Sequence, residues 1–133
     1  MEINLQFSIA DRLRSFKCAF KGLITMLSYE HNAWIHTVAT AAVCGVAFYL
    51  GLTRYEWCLV ILAIVSVWTA EALNTALEFL CDVASPNFHP LVEKAKDVAA
   101  GAVLISTIGS VIIGLFVMGP YLMQLLRSAL AQG

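Results

Sequence analysis

Charge is scarce in this chain: of 133 residues only 13% are Asp, Glu, Lys or Arg, while 60% are hydrophobic. Soluble domains carry about a quarter charged residues, so an ordinary water-soluble domain is excluded. The mean hydropathy of +0.80 points to an integral membrane protein. Proline is rare as well, with three residues and the first at Pro86, so no proline interrupts a helix before that point. Cysteines are few and scattered. Cys18, Cys44, Cys58 and Cys81 form no CxxC pair, which speaks against a redox pair or zinc site and for small apolar side chains. There is no GxxxxGK[ST] and no kinase-type glycine-rich loop, so a soluble-type nucleotide fold is absent. A net charge of −1 points to no nucleic-acid partner. The first residues lack a long apolar core and a small-residue cleavage site, and they read as mature sequence rather than a signal peptide.

What is present is three charge-free runs, at residues 31–53, 57–70 and 98–124. The first and third each reach the ~20 residues that cross a bilayer as helix. The middle run becomes a spanning helix only by continuing through "EALNTALEFL", which holds good helix formers and no Gly or Pro. The expected architecture is one all-α membrane domain over 1–133. It has an N-terminal amphipathic surface helix at about 9–29 and transmembrane helices at about 31–52, 55–83 and 91–126. In the first helix Ile9, Leu13, Phe16, Phe20, Leu23, Met26 and Leu27 recur at steps of three and four, with Arg12, Arg14, Lys17 and Lys21 mainly between them. That pattern suits an anionic cytoplasmic leaflet. Placing the N-terminus and the second loop in the cytoplasm puts Arg12, Arg14, Lys17, Lys21, Lys94 and Lys96 inside and only Arg54 and Arg127 outside, hence N-in, C-out. Small residues repeat every four positions on the third span (Ala102, Ser106, Ser110, Gly114) and on the first (Thr37, Ala41, Gly45), a spacing that lets helices approach closely in lipid.

The second span carries a ladder. Glu71, Asn74, Glu78 and Asp82 fall on one stripe of a helix, at steps of three, four and four. A rise of 1.5 Å per residue from an outer interface near residues 55–57 exhausts ~30 Å of hydrocarbon near residues 75–77. Glu71 then lies below the cytoplasmic interface, with Glu78 and Asp82 at or above it. A carboxylate at such depth is functional by default. Three spans give poor cover for a row of carboxylates, so a homo-oligomer is expected. The topology brings Glu30, Lys96 and Asp97 to the same level. Hard oxygen ligands without thiolates suit Mg²⁺, which is held by one or two carboxylates plus substrate phosphates. Metal, lysine and a deep carboxylate base are what phosphoryl transfer needs. A desolvated Glu71 is the natural proton acceptor, approached from that side only by a lipid hydroxyl. His31 and His36 face different sides of a helix. His31 reads as an interfacial residue, and His36 either lines a lipid pocket or bonds a neighbouring helix. The alternatives are a small ion or proton transport protein using the intramembrane carboxylates, and a scaffold. A pore needs polar groups across the whole membrane, and the outer halves of the spans lack charge. A phosphatase is disfavoured by the lack of an Arg-rich phosphate pocket.

The chain resembles the small bacterial integral-membrane diacylglycerol kinases, which include the undecaprenol kinases. The resemblance is carried by "FKCAFKGL" (16–23), "EHNAWIH" (30–36), "EALNTALEFLCD" (71–82) and "AKDVAAGAVLI" (95–105), and covers roughly residues 12 to 120. It implies a homotrimer with active sites shared between subunits near the cytoplasmic face of a bacterial plasma membrane. It also implies transfer of the ATP γ-phosphate to a lipid alcohol with Mg²⁺ as cofactor. By motif, Glu71 matches the catalytic base, and Glu30 and Glu78 the carboxylates that bind the metals accompanying ATP. Asn74, Lys96 and Asp97 match residues around the nucleotide phosphates, and Asp82 and His89 positions near its ribose and base. Asn32 and His36 are similar to the ExNxxIH of the undecaprenol-kinase-like branch, which puts undecaprenol ahead of diacylglycerol as acceptor and His36 beside the lipid.

Overall fold

The computed structural model of the protein describes residues 8–131. Four helices follow one another: α1 (Ile9–Tyr29), α2 (His31–Leu50), α3 (Arg54–Ala84) and α4 (Pro90–Ala131). The last three are long and apolar enough to cross a membrane.

Local chemistry sets each boundary. Ser8 caps α1, its side chain accepting from the Asp11 N–H at 3.4 Å. No glycine or proline ends α1; instead Glu30 alone takes extended backbone (φ −100°, ψ 120°) and separates α1 from α2. Gly51 closes α2 in the left-handed conformation (φ 68°), and the N–H groups of Gly51 and Leu52 return to the Phe48 and Ala47 carbonyls. Only glycine adopts that conformation cheaply. Thr53 and Glu56 then form a reciprocal capping box at the start of α3: the Thr53 N–H donates to Glu56 Oε2 at 2.7 Å, and the Glu56 N–H to Thr53 Oγ1 at 3.4 Å. At the start of α4, the Leu91 N–H donates to His89 Nδ1 at 3.2 Å.

The closest helix pair is α3 with α4. Ser110 Oγ of α4 donates to the Ala63 carbonyl of α3 at 2.9 Å, an approach that a larger residue at 110 would prevent. At the end of this pair beside the Gly51 turn, away from the loop that joins α3 to α4, Tyr121 Oη donates to the Glu56 carboxylate at 2.9 and 3.1 Å. At the other end, Lys96 Nζ donates to Asp82 Oδ1 at 2.6 Å. Buried Ala47, Leu52, Val60, Val117 and Met118 form a core towards the Gly51 turn. Helix α2 is held to α3 by the Trp68 Nε1–H bond to Thr40 Oγ1 at 3.1 Å. The small-residue stripe expected on α2 does not pack within the chain: Ala41 and Gly45 are exposed, because α2 turns Ala33, Thr40 and Ala47 inward instead.

Candidate active site

The helical stripe of α3 runs from a fully enclosed carboxylate to a hydrated one. Glu71 is 0% exposed, Asn74 is buried, Glu78 is half-buried, and the Asp82 side chain is 57% exposed. One chain encloses Glu71 completely, while Glu78 and Asp82 of the same row stay open. At the same end of the molecule α1 packs on both α2 and α3. Met26 and Ala33 are buried there, and Tyr29 meets Phe79 edge-on at 4.9 Å.

Neither carboxylate oxygen of Glu71 has a hydrogen-bond partner. The nearest opposite group is His36 of α2, with Nε2 3.8 Å from Glu71 Oε2, an ion pair when the ring is protonated. A buried, unpartnered carboxylate costs several kcal/mol, a cost that a substrate hydroxyl donating to it would relieve. Thr75, which sequence reasoning passed over, is buried one turn along and donates through Oγ1 to the Glu71 carbonyl at 2.9 Å.

Glu30 and Glu78 stand close enough to repel. Burial, then the charges of Glu78 and Glu71, pushes the Glu30 carboxyl above its ordinary value, against an opposing pull from His31. The Glu30 carboxylate makes no capping bond to α2 and so stays available as a ligand. Glu78 Oε1 accepts from Asn74 Nδ2 at 2.9 Å, while Asn74 Oδ1 is buried without a partner. Among the described residues no group of three or more His, Cys, Asp or Glu side chains converges as a ready-made metal cage. Two mutually repelling carboxylates and an orphaned amide oxygen do fit Mg²⁺, which takes one or two carboxylates and completes its shell from water or phosphate.

Lys96 is bound to Asp82 and also lies within electrostatic reach of Glu78, so its ammonium is held above the ladder. Asp97 is exposed one residue further on. His89 is exposed, and its Nδ1 is engaged in capping α4. The structure therefore gathers Glu30, His36, Glu71, Asn74 and Glu78 into one cluster, with the Asp82–Lys96 pair beside it. Sequence reasoning missed Glu56 and Tyr121 at the opposite end. The Thr53-x-x-Glu56 spacing was a readable capping signal, whereas the Tyr121 contact joins residues remote in the chain.

A family profile described as "Prokaryotic diacylglycerol kinase" matches residues 17–118. The chain is 38% identical over 109 residues to an undecaprenol kinase of Bacillus subtilis (strain 168), covering 82% of this chain and 89% of the relative. It is 36% identical over 115 residues to a diacylglycerol kinase of Synechocystis, covering 86% of this chain and 66% of the relative. A diacylglycerol kinase of Helicobacter pylori (strain J99) is 33% identical over 126 residues, 90% of this chain and 95% of the relative. All are kinases by name, and the transport and scaffold alternatives find no support among them. With these matches spanning the helices that carry the carboxylate cluster, the chain belongs to the prokaryotic diacylglycerol kinase family and is a membrane lipid kinase.

Proposed function

We propose that the protein transfers the γ-phosphate of ATP to the primary hydroxyl of a membrane lipid alcohol, undecaprenol or diacylglycerol, with Glu71 as general base. The observation that carries this reading is the buried Glu71 carboxylate with both oxygens unpartnered and His36 Nε2 at 3.8 Å. The acceptor hydroxyl donates to Glu71, and its proton passes to the carboxylate as the oxygen attacks the γ-phosphorus. The new O–P bond forms while the bond from the γ-phosphorus to the β-phosphate oxygen breaks, and ADP leaves. The Glu71 proton is then lost to water. His36 lies on the lipid side and orients the hydroxyl.

Glu30 and Glu78 would hold Mg²⁺ here, and the ion would supply positive charge to offset that on the transferred phosphate. Lys96, steered by Asp82, contributes positive charge to the phosphates, with Asn74 and Asp97 beside them. Asp82 and His89 lie towards the ribose and base. The site faces the cytoplasm of a bacterium, with the chain N-in and C-out in the plasma membrane and assembled as a homotrimer. Exposed Leu13, Phe16 and Phe20 and the interleaved basic residues of α1 rest on the inner leaflet.

The test is ATP- and Mg²⁺-dependent phosphorylation in mixed micelles with undecaprenol and diacylglycerol offered in parallel. Glu71→Gln is expected to lower turnover by about a hundredfold or more while the oligomer and nucleotide binding persist. Normal turnover in Glu71→Gln would remove the base assignment.

A further inference from the structure

Helix α4 runs past its partners. The hairpin of α3 and α4 is pinned by Glu56 with Tyr121 at one end and by Asp82 with Lys96 at the other. At 1.5 Å per residue the pins stand about 38 Å apart along either helix. That is more than the ~30 Å of hydrocarbon and within the ~40–45 Å that includes the headgroups, so each pin sits at headgroup level. Exposed Tyr49 and Tyr55 mark the same level at the Tyr121 end, as interfacial aromatics do. Beyond Tyr121, α4 continues to Ala131. A straight helix would lift Leu126 by about 8 Å and Leu130 by about 14 Å above that pin, past the headgroups and into water. Both are apolar, and their own chain leaves them 59% and 74% exposed.

Three features favour a lipid surface over water or a second copy of the chain. The extension is sided: at 100° per residue Leu122, Met123, Leu125, Leu126 and Leu130 fill an arc of about 160°, with Gln124, Arg127 and Ser128 opposite. A helix lying in an interface has so broad an arc, whereas pairing with another copy needs a narrow seam over three or four heptads, and this segment holds about one and a half. Next, α4 has a joint just before the extension. Pro120 has no N–H to give the Phe116 carbonyl, and a Cβ added at Gly119 would meet no atom within 4 Å, so neither hydrogen bonding nor packing holds the helix straight there. Finally, the polar side looks back over its own chain, where Tyr121, Gln124 and Ser128 share a cleft with Tyr49 and Leu50 of α2. A bend away from the bundle therefore turns Met123, Leu126 and Leu130 down onto the leaflet and Gln124 and Ser128 up to water. Arg127 falls at the border, the level of lipid phosphate. The apolar surface so covered is continuous with exposed Leu115 and Phe116 of the span.

We infer that residues 121–131 form an interfacial anchor, bent at Gly119–Pro120 and docked on the phospholipid surface of the leaflet opposite the carboxylate ladder. The segment lies past residue 118, where the family profile ends, and the phosphoryl-transfer chemistry makes no use of it.

The test replaces Leu126, Leu130 or Gln124, one at a time, by photoreactive benzoylphenylalanine in the full-length protein. Leu126, Leu130 and Gln124 are all exposed, so each replacement leaves the helix packing intact. The variants are reconstituted in vesicles of phosphatidylethanolamine and phosphatidylglycerol, irradiated, and weighed by intact-mass spectrometry. Adducts of the chain with phospholipid are expected at positions 126 and 130, several-fold more abundant than at 124. Chain-to-chain products at 126 and 130 overturn the inference by assigning the apolar face to a second copy. Unmodified chain at both positions overturns it by leaving the extension in water. Equal lipid adduct at all three positions overturns it as well, because the whole segment then lies inside the hydrocarbon rather than on its surface.

Discussion

Glu30 occupies one extended residue between two helices, and its carboxylate is crowded by Glu78 and Glu71. Because its folded-state proton affinity lies above the ordinary carboxylate value, the folded state keeps that proton to higher pH than the unfolded chain does. Stability therefore falls as pH rises through the interval just above the ordinary value. Without divalent cation, Glu30→Gln is expected to melt higher than wild type at neutral pH, with the difference vanishing below the ordinary carboxylate range. Melting curves across pH check this, and added Mg²⁺ should stabilise wild type more than the variant. The ladder itself was legible in the sequence, because Glu71, Asn74, Glu78 and Asp82 follow helical spacing in an apolar context. The His36–Glu71 approach was not. It joins two helices, and no periodicity along either one encodes which face meets the other.

The hairpin of α3 and α4 is pinned at both ends, by Glu56 with Tyr121 and by Asp82 with Lys96. The two pins are unequal. Asp82 and Lys96 are both more than a third exposed, and such pairs contribute at most about 1 kcal/mol. The Glu56 end also carries the capping box, so Thr53→Ala is expected to destabilise the fold by about 1 kcal/mol with little change in turnover, measured by denaturation in detergent beside the kinase assay. Trp68→Phe removes the bond from α3 to Thr40 and should cost about 1 kcal/mol, with the same readout. At this scale the spans were legible from charge-free runs, and the break at Glu30 from the change between amphipathic and apolar pattern. The continuation of α4 to Ala131 was less so, since exposed Leu125, Leu126 and Leu130 carry no stop signal.

As a whole, the chain exposes apolar side chains on α2, α3 and α4 along most of their length, as lipid contact or assembly requires. Helix α4 has 42 residues, about 63 Å at 1.5 Å per residue, roughly twice the ~30 Å hydrocarbon thickness. Its first two turns, with Glu93, Lys94, Lys96 and Asp97, are expected to stand in the aqueous phase. A cysteine placed at Glu93 should then label with a membrane-impermeant thiol reagent only in inverted vesicles, and labelling in intact cells would reverse the orientation. That the chain assembles was expected from the carboxylate row, but the number of copies rested on the resemblance alone, because lipid-facing and partner-facing surfaces are equally apolar. The gradient of exposure along α3, from Glu71 to Asp82, has a kinetic consequence. Two reactants that dissolve in different phases meet at a fixed plane, so velocity at saturating nucleotide should track the mole fraction of acceptor within the bilayer. Diluting the vesicles in buffer would leave the turnover per enzyme unchanged, while diluting the acceptor with inert phospholipid would slow it.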